Sequence, residues 1–548
     1  MKKIVAVLLA SSMLLCMTAC GTKDPYDGSR VKDSENTLDI ITIKKGYGTK
    51  WLEALADRYA IAHPDVTITI KRESEDTTIN ALLESGGDSV SYSKYDLFFG
   101  ATDAGDYVNN ALKNPEASLL AELSEVYNYD PDGKGKAKDR IADSLMTAFE
   151  RTNAKGETVY YTLPWTDSVS GLLVNDAVLK THLGENWETE YPIRTTDEFD
   201  SVLNALTQAI SQKGTQDTYA MIHSGNTNYY HFLYYVWWAQ YEGLDGIADY
   251  YNGLYFDEVT QTKKVGTGIF LQQGRLEALK AMEKVMDAEK GYSYPTSDRL
   301  NWNETQMYFM LGRAGFFPNG DWNNLEMEKT FPDSKVKFVR MPVVSALGTK
   351  LGITEAELKS VVSYVDTVND GGTTEKPTLA PSAVGGKTYT FDEIIAEVDN
   401  ARRMSFSYAN YHTAYVANYG LGKKHAIDFL KFMTSEEGQR IYASVMNGPS
   451  TPFGFDAKAD ETLWNGLNEF AKSRYKIAKN TNYMFLRNDL PLGAKGMAAF
   501  RADSLAPIEA LLHRSDNRMT AQQIFDVDYD YYNGKTTWTD LLRRAGLM

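Results

Sequence analysis

Residues 315–322, Gly-Phe-Phe-Pro-Asn-Gly-Asp-Trp, combine side chains that suit the recognition of a sugar. An apolar strand stops at Pro318, and the Asn-Gly pair after it predicts a turn, because both residues tolerate positive φ. The turn would present Asp321 and Trp322 at its tip. A carboxylate accepts hydrogen bonds from hydroxyl groups, and an indole face stacks on the C–H face of a pyranose. The alternative is a hairpin tip whose Trp322 packs into the core.

The chain before this stretch predicts the elements that would hold such a site. Alternating apolar residues predict strands over 38–43 and 66–70, and a nearly continuous apolar run predicts a buried strand over 95–99. Helical periodicity separates these strands. The β-α-β-α-β order implies an α/β fold with a doubly wound open sheet. Ligands bind at the carboxyl ends of strands in such sheets, which makes Tyr47 and Asp103 candidate contacts.

A second concentration of aromatic residues follows between Asn228 and Tyr241, where eight side chains are Tyr, Trp or Phe. A helix over this stretch would be aromatic on most of its faces, so it must be buried or line a cleft. Tyr229 and Tyr230 lead the segment, and we expect at least one of them to reach the cleft.

Length and composition exclude several classes of protein. A chain of 548 residues is too long for one compact core, so two or more domains are expected. A formal net charge of −16 argues against a nucleic-acid binder. The seven histidines are dispersed, and HExxH, Walker A and GxSxG motifs are absent from the sequence, so we predict no metal centre, no cofactor and no catalytic residue. Paired carboxylates for glycoside hydrolysis stay open, because sequence does not display distances in space.

The N-terminus carries an export signal. Lys2 and Lys3 precede an apolar segment, residues 4–15, that is too short to span a bilayer comfortably. Met-Thr-Ala-Cys-Gly at residues 17–21 then resembles a bacterial lipobox with Met in place of the usual Leu, in which Cys20 is lipidated and becomes the first mature residue. The alternative is ordinary cleavage after Ala19. We predict a signal peptide over 1–19, a polar tether over 20–37, and a lipid-anchored protein of the cell membrane that faces the extracellular side or the periplasm.

The order of the motifs resembles one family, the extracellular solute-binding proteins of ABC transporters, in the carbohydrate-binding class (family 1) related to maltose-binding protein. The resemblance runs from the lipobox to about Phe453. It rests on six segments in order: Gly46-Tyr47-Gly48 before Trp51, His63-Pro64-Asp65-Val66, residues 95–99, residues 161–164 leading to 171–175, residues 319–322, and residues 429–437. The resemblance implies a two-lobed, periplasmic-binding-protein-like fold of type II, with doubly wound sheets and a hinged cleft.

The resemblance also implies a division into lobes, although this chain is longer than a typical member. The N-terminal lobe is expected over 38–162 plus about 336–450, with an insertion over about 348–403. The C-terminal lobe is expected over 163–335 plus about 451–548.

Candidate ligand contacts follow from the same resemblance. Asp103 lies where the family carries a sugar-binding Asp, although it could equally be the acidic residue of a helix N-terminus. Trp322 aligns with a Trp that stacks on sugar. The loop that holds Trp165 and Ser168 lies where the second lobe approaches the ligand, and Trp165 would serve equally well in the core. Asp321 either binds a hydroxyl or fixes the turn that presents Trp322.

The predicted function is that of a substrate-binding lipoprotein of a carbohydrate ABC importer. Such a protein is a monomer without enzymatic activity, which captures a sugar or oligosaccharide between its lobes and delivers it to the transmembrane subunits of the permease. One alternative is a surface-anchored glycoside hydrolase or lyase. Another is a binder of a non-sugar solute, such as a peptide or a polyamine.

Overall fold

Two mixed β-sheets, each flanked by helices, divide the chain into two lobes. The computed structural model describes Tyr26 and residues 34–88, 95–101, 104–227, 229–478, 480–495, 508–511 and 518–548. The strands of the two sheets are, in chain order, β1 (Thr37–Ile43), β2 (Thr67–Glu73), β3 (Leu97–Phe99), β4 (Leu163–Pro164), β5 (Val169–Asn175), β6 (Tyr219–Met221), β7 (Ala314–Gly320), β8 (Val336–Val339), β9 (Met404–Ser407), β10 (Thr413–Val416) and β11 (Asn482–Met484).

Helices cover both sheets. Those of eight or more residues in the described part of the chain are α1 (Lys50–Ala62), α2 (Asp76–Asp88), α3 (Gly105–Lys113), α4 (Asp176–Leu183), α5 (Thr196–Lys213), α6 (His231–Tyr251), α7 (Gln273–Met286), α8 (Trp302–Met310), α9 (Glu355–Asn369), α10 (Phe391–Arg402), α11 (Lys423–Thr434), α12 (Glu436–Met446), α13 (Glu469–Ala478), α14 (Ala521–Tyr532) and α15 (Thr536–Ala545). Shorter helices span Ser124–Tyr127, Asp143–Met146, Trp187–Glu190, Asn323–Met327, Ala346–Leu351 and Glu461–Gly466. Three small hairpins pair Arg151–Thr152 with Thr158–Val159, Leu254–Asp257 with Thr262–Val265, and Ser382–Val384 with Lys387–Tyr389.

The first sheet has the strand order β2-β1-β3-β10-β4. β1 pairs in parallel with β2 and with β3, so Ile40 lies opposite both Ile70 and Leu97. β10 is antiparallel to β3 and β4. β1 is buried along its whole length, as expected of a strand that is covered on both faces. These pairings confirm the predicted β-α-β-α-β order and the α/β class.

The second sheet has the strand order β11-β9-β5-β7-β6, and β8 also pairs with β5. β5 and β7 are antiparallel and buried along their whole lengths. The aromatic helix α6 is buried over most of its first half and contacts β9, β5 and β7. Its burial confirms the expectation for a helix that is aromatic on most faces.

The strand before Trp322 continues two residues further than the sequence suggested. β7 does not stop at Pro318, since Asn319 and Gly320 pair with Gly171 and Ser170 of β5. The turn predicted at Asn319 and Gly320 is therefore wrong, and the chain turns after Gly320. The glycine is needed for another reason: a Cβ on Gly320 would lie 2.0 Å from the Trp322 ring.

The lobe boundaries also differ from the expectation. Residues 336–407 were expected largely in the N-terminal lobe, but β8 and β9 both pair with β5 of the second sheet. The expected insertion, residues 348–403, joins the second lobe too, because α10 contacts α6. Arg402 secures α10 there by donating a hydrogen bond of 2.8 Å to the carbonyl oxygen of Met341. Long-range strand pairing decides this assignment, and local patterns do not carry that information.

The helices that the structure describes include none that is both long enough and apolar enough to cross a membrane. Cys20 and the rest of the predicted signal peptide lie outside the described residues.

Candidate ligand-binding site at the lobe junction

Trp322 lies at the junction of the two lobes, directly after β7, and is only 7% exposed. Tyr47, on the loop after β1 of the first lobe, contacts it edge-on at a ring distance of 6.3 Å. Tyr229 at 5.7 Å and Phe232 at 6.2 Å, both of the second lobe, surround its other sides together with Tyr408 at 6.3 Å, which directly follows β9. The indole thus lies in an aromatic cluster, Tyr47, Tyr229, Phe232, Trp322 and Tyr408, that both lobes build together.

Asp321 is fully buried and links the lobes. Tyr47 Oη donates a hydrogen bond of 2.7 Å to Asp321 Oδ1, and Arg474 Nε donates one of 3.0 Å to Asp321 Oδ2. The backbone N–H of Asp321 donates to the carbonyl oxygen of Val169 at 2.9 Å. The carboxylate therefore fixes the turn before Trp322 and also accepts a hydrogen bond from the first lobe.

A second buried carboxylate lies on the other side of Arg474. Arg474 Nη2 contacts Asp167 Oδ2 at 2.5 Å, and both side chains are essentially inaccessible to solvent. Ser450 Oγ and Tyr483 Oη also donate to Asp167 Oδ2, at 2.8 and 3.3 Å. Two carboxylates thus share one guanidinium where the side chains are at most 1% exposed.

Burial and these neighbouring charges shift the pKa values of Asp321 and Tyr47. Burial raises the pKa of Asp321, the Arg474 guanidinium opposes that shift, and the charge of Asp167 adds to it. Burial and the neighbouring Asp321 raise the pKa of Tyr47 well above its ordinary value. Tyr47 therefore stays a neutral hydroxyl donor at physiological pH.

Three segments carry the chain between the lobes: residues 165–168, 408–412 and 447–452. Their backbones are hydrogen-bonded to one another. Trp165 N–H donates to His412 O at 3.1 Å, Tyr408 N–H to Ser168 O at 3.0 Å, and Asp167 N–H to Ser450 O at 2.9 Å. The crossing segments therefore form one connected layer beneath the aromatic cluster.

Two predicted contacts, Trp165 and Ser168, belong to this layer. Trp165 stacks on Trp51 at a ring distance of 4.9 Å and donates to the carbonyl oxygen of Gly100 at 3.1 Å. Ser168, at a φ of 45°, holds its Oγ within hydrogen-bond distance of Tyr47 Oη, at 2.9 Å. Trp165 is 1% exposed, so its indole is part of the packing between the first lobe and the crossing segments.

The remaining predicted contacts are Tyr229, Tyr230 and Asp103, and the two tyrosines have different neighbours. Tyr229 is half-buried and reaches Trp322, whereas Tyr230 is fully buried and contacts the rings of His223 and His231 edge-on. Asp103 lies outside the described residues. The structure thus brings Tyr47, Ser168, Tyr229, Asp321 and Trp322 together around the junction.

Polar groups of the second lobe continue the site behind Tyr229. Gln306 Nε2 donates a hydrogen bond of 2.9 Å to Glu326 Oε2. Burial raises the pKa of Glu326 to about 7, and the hydrogen bond from Gln306 opposes the shift. Burial raises the pKa of Tyr229, and the charge of Glu326 adds to that shift.

A crevice of about 390 Å³, including its open mouth, lies between the first lobe and the loops beside it. Asn410 and Thr413 line it, and within the described residues Asn410 Oδ1 and Thr413 Oγ1 are buried without a hydrogen-bond partner. Such atoms normally find a partner in a folded protein, so they are suited to a polar ligand or to water. The other lining residues are Ala104, Gly105, Val108, Ala148, Phe149, Arg151, Thr162, Asn488 and Asp489.

The structure adds residues that sequence patterns did not select. Tyr408 and Asn410 lie on a crossing segment, and the aromatic sequence Tyr-Ala-Asn-Tyr-His at 408–412, between two strands, is a signal that could have identified them. Arg474 lies on an ordinary amphipathic helix, and nothing in the neighbouring sequence marks it as different from the other arginines. The described residues contain no cluster of three or more His, Cys, Asp or Glu arranged to hold a metal ion.

Comparison with solved structures finds solute-binding proteins whose fold is similar to that of this chain. A probable secreted solute-binding lipoprotein from Streptomyces coelicolor aligns with a TM-score of 0.55 and 12% identity, over 92% of this chain and 100% of that one. The GacH receptor of Streptomyces glaucescens aligns at 0.52 and 14%, over 92% and 98% of the two chains. Maltose-bound MalE3 of T. maritima aligns at 0.51 and 12%, over 90% and 98%. At these identities the likeness establishes the fold, which is the two-lobed fold that the sequence predicted.

The sequence comparisons give the family. Curated protein sequences provide no significant match. The model of the bacterial extracellular solute-binding protein family matches residues 54–465, which is most of the chain. The matched region contains every strand of the two sheets except β1 and β11. It also contains every residue of the aromatic cluster except Tyr47. The chain therefore belongs to the family of bacterial extracellular solute-binding proteins.

Proposed function

We propose that this protein is the substrate-binding lipoprotein of an ABC importer and that its ligand is a carbohydrate. The observation that carries the proposal is the aromatic cluster around Trp322, to which both lobes contribute. Stacking on aromatic rings with hydrogen bonds at their edges is the usual chemistry of sugar recognition. Structural neighbours support the choice, since MalE3 was solved with maltose and the GacH receptor with acarbose.

The ligand would enter when the lobes separate. Tyr47 is the first-lobe residue of the cluster, and its hydroxyl bonds Ser168 and Asp321 in the closed form. Withdrawal of Tyr47 would open one side of Trp322 to the cleft. The indole would then stack on the sugar ring, while Tyr47, Tyr229 and Asp321 exchange their hydrogen bonds for bonds to hydroxyl groups.

Ligand binding would favour the closed form because a bound sugar touches both lobes only when they are together. The closed monomer would then dock on the transmembrane subunits of the permease. A lipid on Cys20 would hold the protein at the outer face of the cell membrane, close to that permease.

The arrangement of carboxylates favours binding over hydrolysis. A glycosidase needs two carboxyl groups that face the scissile bond from opposite sides. At this junction Asp321 and Asp167 both face Arg474, and each is occupied by further hydroxyl donors. We therefore propose no catalytic task for these two side chains.

The Trp322→Ala variant tests the site. We expect it to lose about 1–3 kcal/mol of sugar affinity, the scale of a buried aromatic contact. A thermal-shift screen over sugars, peptides and polyamines first identifies a ligand, because a compound that binds only the native state raises the melting temperature. Calorimetry with that ligand then compares the wild type and the variant.

Trp302→Ala is the matched control, since Trp302 is in the same lobe but 39% exposed. Its affinity should equal that of the wild type. A screen in which peptides or polyamines raise the melting temperature and sugars do not would overturn the carbohydrate assignment. Equal sugar affinity in Trp322→Ala and the wild type would remove Trp322 from the site.

A further inference from the structure

The C-terminal segment, residues 466–548, extends beyond the family match, which ends at residue 465. Its first long helix, α13, contacts β8 of the second sheet. Ser473 Oγ of this helix accepts a hydrogen bond of 2.9 Å from the backbone N–H of Phe338. The next residue, Arg474, reaches from this helix into the lobe junction.

Arg474 joins two parts of the molecule that have different tasks. Its Nη2 atom contacts Asp167 on a crossing segment at 2.5 Å, and its Nε atom contacts Asp321 beside Trp322 at 3.0 Å. All three side chains are at most 1% exposed. One planar guanidinium thus connects the crossing segment to the turn that carries Trp322.

The positive charge of Arg474 is needed because it neutralises two buried carboxylates, Asp167 and Asp321. Removing one partner of a buried ion pair is strongly destabilising, because the other partner is left as an uncompensated charge. Here the loss of Arg474 would leave two such carboxylates. The repulsion between the two carboxylates, and the cost of keeping them away from water, would drive the turn and the crossing segment apart.

We propose that Arg474 is a positioning residue, supplied by the C-terminal segment, that couples the ligand-binding turn to the segments crossing between the lobes. The assignment of the turn to ligand binding rests on the proposed function, whereas the coupling itself exists without ligand. The coupling can therefore be measured in the free protein, independently of which solute binds.

The titratable and charged groups that face Arg474 and its two carboxylates come from several elements. Tyr47 lies on the loop after β1, and His412 contacts the Tyr47 ring at 5.2 Å from a crossing segment. Three further hydroxyl groups interact electrostatically with these carboxylates: those of Tyr442 on α12, Tyr475 on α13 and Tyr483 on β11.

Hydrogen exchange of the full chain without ligand tests the coupling. In Arg474→Met, we expect amides of residues 165–169, 320–322 and 408–412 to exchange at least about tenfold faster than in the wild type, the counterpart of about 1.4 kcal/mol in local opening. The excess should shrink as pH falls, because protonation of Asp321, whose pKa burial already raises, removes one of the unpaired negative charges. Arg474→Lys keeps the charge on a shorter, single-headed group and should give an intermediate excess.

Arg275→Met is the matched control. Arg275 is also fully buried in the second lobe, and its Nη2 contacts Asp528 of α14 at 2.6 Å, away from the crossing segments. Faster exchange in this variant should concentrate at α7 and α14. The coupling would be overturned by wild-type exchange at the junction in Arg474→Met, by an increase spread evenly over both lobes, or by an excess that does not change with pH.

Discussion

Asp321 illustrates how much of one residue's task can be inferred from sequence. Its position before Trp322 marked it as either a hydroxyl acceptor or the residue that fixes the turn. The structure gives it Tyr47, Arg474 and the backbone N–H of Val169 as partners. The turn-fixing task follows directly from these bonds, while contact with a sugar stays a prediction. Arg474 was unpredictable because it lies more than 150 positions away, on a helix that local patterns describe as ordinary.

Glu326 provides a prediction on pH. Its pKa in the folded protein is raised to about 7 from an ordinary value of 4.5, so between these values the native state holds a proton that the unfolded chain releases. The carboxyl group therefore stabilises the fold below about pH 4.5 and loses this contribution as pH rises through 7. We expect the stability of the wild type relative to Glu326→Gln to fall by up to about 3 kcal/mol between pH 4.5 and pH 8.

Denaturant unfolding at several pH values measures that difference. Glu116→Gln, which removes an exposed carboxylate, controls for the change in net charge. A constant difference between wild type and Glu326→Gln would contradict the prediction, and so would the same trend in Glu116→Gln.

The elements show which patterns are informative. Strands β1, β2 and β3 were predicted within a few residues, because their alternating or continuous apolar patterns are local. The sheet to which β8 and β9 belong was not, because only pairing with β5 decides it. The end of β7 was missed for a similar reason: the Asn-Gly pair favours a turn locally, but the ladder to β5 continues through it.

Gly320→Ala tests the close approach at the end of β7. The added Cβ would lie 2.0 Å from the Trp322 ring, so the ring must move. We expect a loss of about 1–3 kcal/mol in stability, the typical cost of overpacking, and a change in Trp fluorescence. Gly466→Ala is the control, since its Cβ would meet no atom within 4 Å. Equal melting temperatures of the two variants would show that Trp322 adapts freely.

At the scale of the whole molecule, the lobes are joined by three hydrogen-bonded crossing segments and by the Tyr47 hydroxyl. The two-lobed fold was predictable from an ordered set of motifs that extends over most of the chain. The contacts between the lobes were not, because they join residues that are far apart in sequence.

Tyr47→Phe tests the contact between the lobes. It removes the buried donor to Asp321 and the hydrogen bond with Ser168, which we expect to favour the open form by about 1–3 kcal/mol. Small-angle scattering of the ligand-free protein should show a larger radius of gyration. Tyr127→Phe is the control, because Tyr127 donates its hydroxyl to Thr162 O at 2.7 Å within the first lobe. An unchanged radius in Tyr47→Phe would mean that other contacts hold the lobes together.

The order of Asp167, Asp321 and Arg474 along the chain has a consequence for biosynthesis. A ribosome makes both carboxylates long before it makes the guanidinium that neutralises them. Until α13 has been synthesised, burial of the two carboxylates is unfavourable because the guanidinium that pairs with them is missing. We therefore expect the crossing segments and the turn before Trp322 to reach their final packing only after α13 has been made.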